Sequence, residues 1–202
     1  MRYIITLIFI SALNILFAQK QDFDKVSLKI QNVVREIALT NTLCLYEYDV
    51  SRNKNVQYER FKKLQKDVTI PELIELTKHK NEVVRCYAFL DLISKDTIKA
   101  YDILLIHLND TDYVCSGGDV HVIEMVGDFY LSIAMSLHWM KVNFSLSKIQ
   151  KEHIYDLLFE DETNSLNFKQ YLLSSVKFSE IRYEQIRRIA ITTKTPESIL
   201  AL

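Results

Sequence analysis

The sequence predicts an all-α fold of short helices packed as pairs, and three observations carry that reading. Glycine occurs 3 times and proline 2 times in 202 residues, where average usage would give about 14 and 10. So few turn-formers argue against many short strands and for helices joined by short polar loops. Beyond residue 20, apolar side chains recur at three- and four-residue steps, the period of a helix with one buried face. From Glu82 to Lys95 that face widens until Val83, Val84, Cys86, Tyr87, Ala88, Phe89, Leu90, Leu92 and Ile93 run nearly all round. A helix without a polar face is sandwiched between neighbours.

The chain opens on a different kind of segment. Met1-Arg2 is followed by an apolar run from Tyr3 to Ala18, interrupted by Ser11 and Asn14. The run falls short of the roughly 20 residues a spanning helix needs and ends on a small residue, so residues 1–18 read as a signal peptide cleaved after Ala18. The expected product works outside the cytoplasm, in the periplasm or the medium, and only an uncleaved leader would hold it to a membrane. The formal net charge is −1 and the basic residues are interspersed with acids, so nucleic acid is not an expected partner.

Residues 19–66 are expected to form an N-terminal helical segment. Phe23, Val26, Ile30, Val33, Val34 and Ile37 share one face of a helix from about Asp22 to Thr40. Leu43 to Tyr48 fits either a continued helix or a short extended piece, and Tyr58, Phe61 and Leu64 mark a helix ending near Lys66. Thr69, Pro71 and Glu72 then form a helix start, with Leu73, Ile74 and Leu76 facing inward. The next helix spans Glu82–Lys95, and Asp96 or Thr97 caps another over Ile98–Leu108. Asn109 to Val114 reads as an inter-helix turn, followed after Ser116-Gly117-Gly118 by a helix from near Asp119 to about Lys141, with Gly127 as a close-packing point. Ser147 and Gln150 have capping-box spacing and start a helix to about Phe159. Helices over Leu166–Val176 and from Ser179 to Ile191 follow, and Thr195-Pro196-Glu197 opens a last one that Leu202 leaves incomplete.

The turn before the most buried helix carries a family resemblance. Asn81, Val84, Arg85 and Ala88 stand where a HEAT repeat has its polar turn residue, its Val-Arg pair and a small residue on the next turn, so this unit resembles the HEAT family. The resemblance implies that residues 67–202 form a HEAT-like α-solenoid capped by the N-terminal helix. It also implies that Arg85 bonds the turn acid of the adjacent unit, Asp110 or Asp112, and that Asn81 fills the turn. The second unit departs from the pattern, since Cys115 stands where the arginine would be. Solenoids offer extended surfaces and rarely house chemistry, so the implied function is an exported scaffold or adaptor that binds a protein partner and needs no cofactor.

The rival reading is chemical. His121, Glu124 and Asp128 fall at i, i+3 and i+7 of the expected helix, with Cys115 just before it. Such a face would suit a metal ion, or a small metal- or cysteine-dependent hydrolase with Cys115 as nucleophile. Against it, acids near a helix start already complement its dipole, and no second ligand pair has recognised spacing. No catalytic residue is assigned and no metal is expected. Cys44, Cys86 and Cys115 are odd in number; Cys86 and Cys115 are the candidate disulfide, closing a loop of about 30 residues.

Overall fold

The computed structural model describes residues 25–48, 51–117, 122–135, 144, 146–175 and 180–194. The expected cleavage after Ala18, His121, the cap Ser179 and the segment from Thr195 to Leu202 lie outside these residues. The described chain is mostly helical, with one small sheet. In order it runs α1 (Leu28–Ala38), β1 (Leu43–Cys44), α2 (Val56–Asp67), α3 (Ile70–Leu76), α4 (Glu82–Lys95) and α5 (Thr97–Ile106). Then come β2 (Tyr113–Gly117), β3 (Val122–Met125), α6 (Val126–Ala134), α7 (Lys148–Glu160), α8 (Asn167–Ser175) and α9 (Glu180–Thr193).

Local chemistry explains most boundaries. Asn55 starts α2 by accepting from the N–H groups of Gln57 and Tyr58. Thr69 and Glu72 close a reciprocal capping box at α3, Asn81 caps α4 through the N–H of Val84, Asp96 caps α5 and Ser147 forms a second capping box with Gln150. Each satisfies N–H groups that the helix cannot pair internally. α1 begins at Leu28 rather than near Asp22, because Ser27 is extended and its N–H is held by the Glu72 carboxylate at 2.9 Å.

α4 is the centre of the molecule. It packs against α1, α3, α5, α6, β1 and β2, and every residue from Val83 to Ile93 is buried. Tyr87 stacks on Phe61 with centroids 4.4 Å apart, and Phe89 on Tyr130 at 3.9 Å. Asp91, buried among these apolar side chains, is paired with Lys95 at 2.7 Å. The same ammonium donates to the carbonyls of Gln65 (3.0 Å) and Val68 (3.2 Å), tying the end of α4 to the corner between α2 and α3.

The largest departure from expectation is the region after α5. The fold is mostly helical, as an all-α reading expects, but it also holds a small three-stranded sheet ordered β1-β2-β3, whose last strand, Val122–Met125, replaces the first part of the helix expected from near Asp119 to about Lys141. β2 pairs parallel with β1 and antiparallel with β3. Tyr113-Val114-Cys115 and Val122-Ile123 are rich in β-branched and aromatic residues on either side of Gly117-Gly118, which is the composition of a hairpin. The helical spacing of apolar residues resumes only at Val126, where α6 starts. Gly127 is a close-packing point: a Cβ there would lie 2.8 Å from the His107 carbonyl oxygen and 2.9 Å from Leu166.

Candidate functional site

The turn from His107 to Asp112 joins three parts of the fold, and its polar groups are shared among them. The Gly127 N–H donates to the Asp110 carbonyl and that of Val126 to the Asp112 carbonyl, both at 2.9 Å, so the turn is seated on the first residues of α6. From the far side, the Asn164 amide donates to the Leu108 carbonyl at 2.7 Å and to Oδ1 of Asn109 at 2.6 Å. The third attachment is Arg85.

Arg85 is only 5% exposed. Its Nη1 donates to the carbonyls of His79 (2.9 Å) and Lys80 (3.2 Å) at the end of the α3–α4 turn. Its Nη2 donates to Oδ1 of Asp110 (3.1 Å) and Oδ2 of Asp112 (2.7 Å). Nε lies 3.0 Å from Oδ2 of Asp110 but off the hydrogen-bond direction, so that approach is electrostatic only. One guanidinium therefore spans two inter-helix turns, using the planar fork that a lysine lacks. His107 orients the acid through a 2.9 Å contact from Nδ1 to Oδ2 of Asp110, and the Tyr130 hydroxyl donates to the Arg85 carbonyl at 2.9 Å. Burial alone would raise the Asp110 carboxyl; the hydrogen bond with His107 and the charge of Arg85 outweigh it and hold the carboxyl below its usual value. Asp112 is 64% exposed at its side chain, which leaves Asp110 as the principal partner.

The sheet has two unlike faces. Register and alternation place Leu43, Val114, Ser116, Val122 and Glu124 on one side; Leu43 and Val114 are fully buried there. Cys44, Tyr113, Cys115 and Ile123 lie on the other side, where Tyr113 and Ile123 are 58% and 68% exposed. Cys44, Cys86 and Cys115 are all thiols, so the candidate disulfide between Cys86 and Cys115 is not formed. The reason is the sheet itself. Cys86 is fully buried in α4, which packs against β1 and β2, whose fully buried side chains Leu43 and Val114 lie on the inward face. Cys115 alternates to the outward one.

Glu124 and Asp128 are neighbours, but not on one helix face: Glu124 belongs to β3 and Asp128 to α6. Burial, then the charge of Asp128, push the Glu124 carboxyl up to about 7, with the Ser116 hydroxyl pulling the other way. Asp128 is buried and its two oxygens are engaged, Oδ1 by the Phe168 N–H at 2.8 Å and Oδ2 by the Asn167 N–H at 3.0 Å. It thus caps α8 from a neighbouring element, and burial still raises its carboxyl despite those bonds. Among the described residues no group of three or more His, Cys, Asp or Glu side chains is placed to hold a metal ion. Cys115 and Glu124 point to opposite faces of the hairpin, so a thiol–carboxylate pair of the rival hydrolase reading is not assembled from them.

Several participants carry no sequence signal as site residues. Tyr87 sits in an apolar run, yet its hydroxyl accepts from the Cys44 N–H and donates to the Cys44 carbonyl, both at 2.8 Å. Asn164 looks like an ordinary loop residue. His107 is the exception, since its i, i+3 spacing to Asp110 on a helix end brings the two side chains together.

No protein-family model, curated protein or solved structure matches the chain. Among the described residues, no helix is long and apolar enough to cross a membrane.

Proposed function

We propose that the chain is an exported, HEAT-repeat-like scaffold or adaptor, released from a leader ending at Ala18 and binding a protein partner outside the cytoplasm. The observation that supports this most is the Arg85 bridge: a buried guanidinium at the start of the second helix of one pair holds the acids of the next turn. Such a bridge fixes how successive units stack, and stacked units present extended surface rather than an enclosed reaction chamber. The interruption by the β2–β3 hairpin then makes this a modified array, with the sheet set against the side of α4.

Site-specific photocrosslinking tests the reading. A photoreactive residue is placed in the full chain at Ile123, Leu39 or Ile191, all exposed, and the cell envelope is irradiated in the native host. The proposal expects a discrete protein adduct from at least one position and an N-terminus at Gln19 on the exported product. Absence of adducts from all three, or soluble cytoplasmic protein retaining Met1, overturns it.

A further inference from the structure

The two edges of the sheet are finished differently. On β1 the N–H and carbonyl of Cys44 are both taken by the Tyr87 hydroxyl at 2.8 Å; a residue's two backbone groups point to the same side of a strand, so this edge is plugged. β3 forms the opposite edge and has no neighbouring strand among the described residues. It carries none of the lysines, prolines or bulges that usually blunt an edge. Instead Val122 and Ile123 are 50% and 68% exposed along it.

Glu124 decides what such an edge accepts. It points to the inward face, half-buried beside Asp128, and among the described residues no Lys, Arg or His lies within ion-pair reach of either carboxylate. A strand offering an apolar or acidic residue opposite Glu124 would bury that carboxylate further without compensation, which is unfavourable. A strand offering a cation there would supply what the pair lacks, and its backbone would satisfy the open edge.

We propose that the edge of β3 receives an extended peptide segment of a protein partner, with Lys or Arg opposite Glu124 and an apolar residue opposite Ile123. This rests on the reading of the chain as a protein-binding module and names the partner's chemistry. The attraction of Glu124 selects the segment; backbone pairing and the exposed Ile123 hold it.

The test uses the full chain and fluorescein-labelled, capped eight-residue peptides of alternating Val and Thr with one central Lys. A second peptide has Glu in place of Lys, and a third keeps Lys but is N-methylated on alternate amides. Fluorescence anisotropy is expected to show the Lys peptide binding at least tenfold tighter than either of the others, and Glu124→Gln to erase the difference between Lys and Glu. Cooperative thermal unfolding of Glu124→Gln, with a midpoint no lower than that of the wild type, checks its fold, and the methylated peptide tests the edge without any substitution in the protein. Equal affinity for the Lys and Glu peptides, a preference that survives Glu124→Gln, no binding of the Lys peptide, or concentration-dependent dimers made through β3 in peptide-free protein would each overturn the proposal. If Ile123 still crosslinks a partner in the envelope when the peptides fail, the binding module stands and only the basic strand is lost.

Discussion

Two clusters of buried charge flank the turn after α5, and they are built on opposite plans. Around Arg85, a cation meets two carboxylates and two carbonyls. Around Glu124 and Asp128, two carboxylates meet each other, and the bonds to Asp128 are backbone N–H groups. Removing charge from water is costly, and the cost is recovered only by partners of good geometry. The first cluster has them and so fixes one arrangement of α4 against the next turn. The second is only partly compensated, which leaves one carboxyl near neutrality and open to a proton or a cation. One plan therefore fixes packing, while the other is suited to response.

The largest effect that would sharpen this contrast is expected at Arg85. Arg85→Ala leaves the largely buried Asp110 with only His107 and the Asp112 N–H as partners and frees the carbonyls of His79 and Lys80, and breaking a buried pair from one side costs about 3 to 5 kcal/mol. Asp112→Ala, on a side chain 64% exposed, should cost less than about 1 kcal/mol. Urea denaturation of both variants measures the difference. Equal losses would show that the bridge is a surface contact and that burial of the guanidinium contributes nothing particular to the fold.

A smaller loss is expected at Asp128. Asp128→Ala strips the N–H groups of Asn167 and Phe168 of their acceptor and should destabilise α8 by about 2 kcal/mol, the upper range for a lost helix cap. Hydrogen exchange should show the first turn of α8 opening while α4 stays protected. If instead the variant is as stable as the wild type, relief of the repulsion with Glu124 offsets the lost cap, and the cluster is more strained than its hydrogen bonds suggest.

How legible these regions were in the sequence follows from where their information is stored. Glu82–Lys95 shows as a helix because apolar residues surround it, and Arg85 shows because its place relative to Asn81 and Val84 fits a repeat in which arginine bridges turns. The hairpin was concealed by a coincidence of spacing: Ile123, Val126, Gly127 and Tyr130 keep a helical period across the boundary between β3 and α6, so a single helix accounts for them on pattern alone. What overrides that pattern is long-range. Leu43 pairs beside Ser116, and Tyr87 holds the backbone of Cys44, contacts that no local window contains. The same coincidence of spacing places Glu124 and Asp128 on one helix face as candidate metal ligands, whereas the fold uses Asp128 to cap a helix about forty residues away. Cys86 and Cys115 likewise looked pairable until the sheet came between them.

The smallest expected effect, and the most diagnostic of the second plan, is on pH dependence. Glu124 is raised from an ordinary 4.5 to about 7 in the folded chain, so the native state holds a proton that the unfolded state has already released. Stability from this group is fully present below about pH 4.5 and is lost as pH rises toward 7. Asp128, raised for the same reason of burial, acts in the same direction. Asp110 and Glu72, both lowered, act in the opposite one and lose their contribution only as pH falls below the ordinary carboxylate range. Urea midpoints taken from pH 5 to 8 should therefore fall for the wild type. In Glu124→Gln the decline should flatten, leaving the variant more stable at pH 8 by on the order of 1 kcal/mol once the solvent that reaches this side chain is allowed for. Asp128→Asn adds an independent reading, because removing the neighbouring charge should draw the Glu124 midpoint down toward 4.5 in a carbon NMR titration of the carboxyl. Parallel stability profiles for wild type and Glu124→Gln, with a Glu124 midpoint near 4.5 in both backgrounds, would mean that the carboxyl is solvated like any surface acid, and the two clusters would then differ in composition but not in plan.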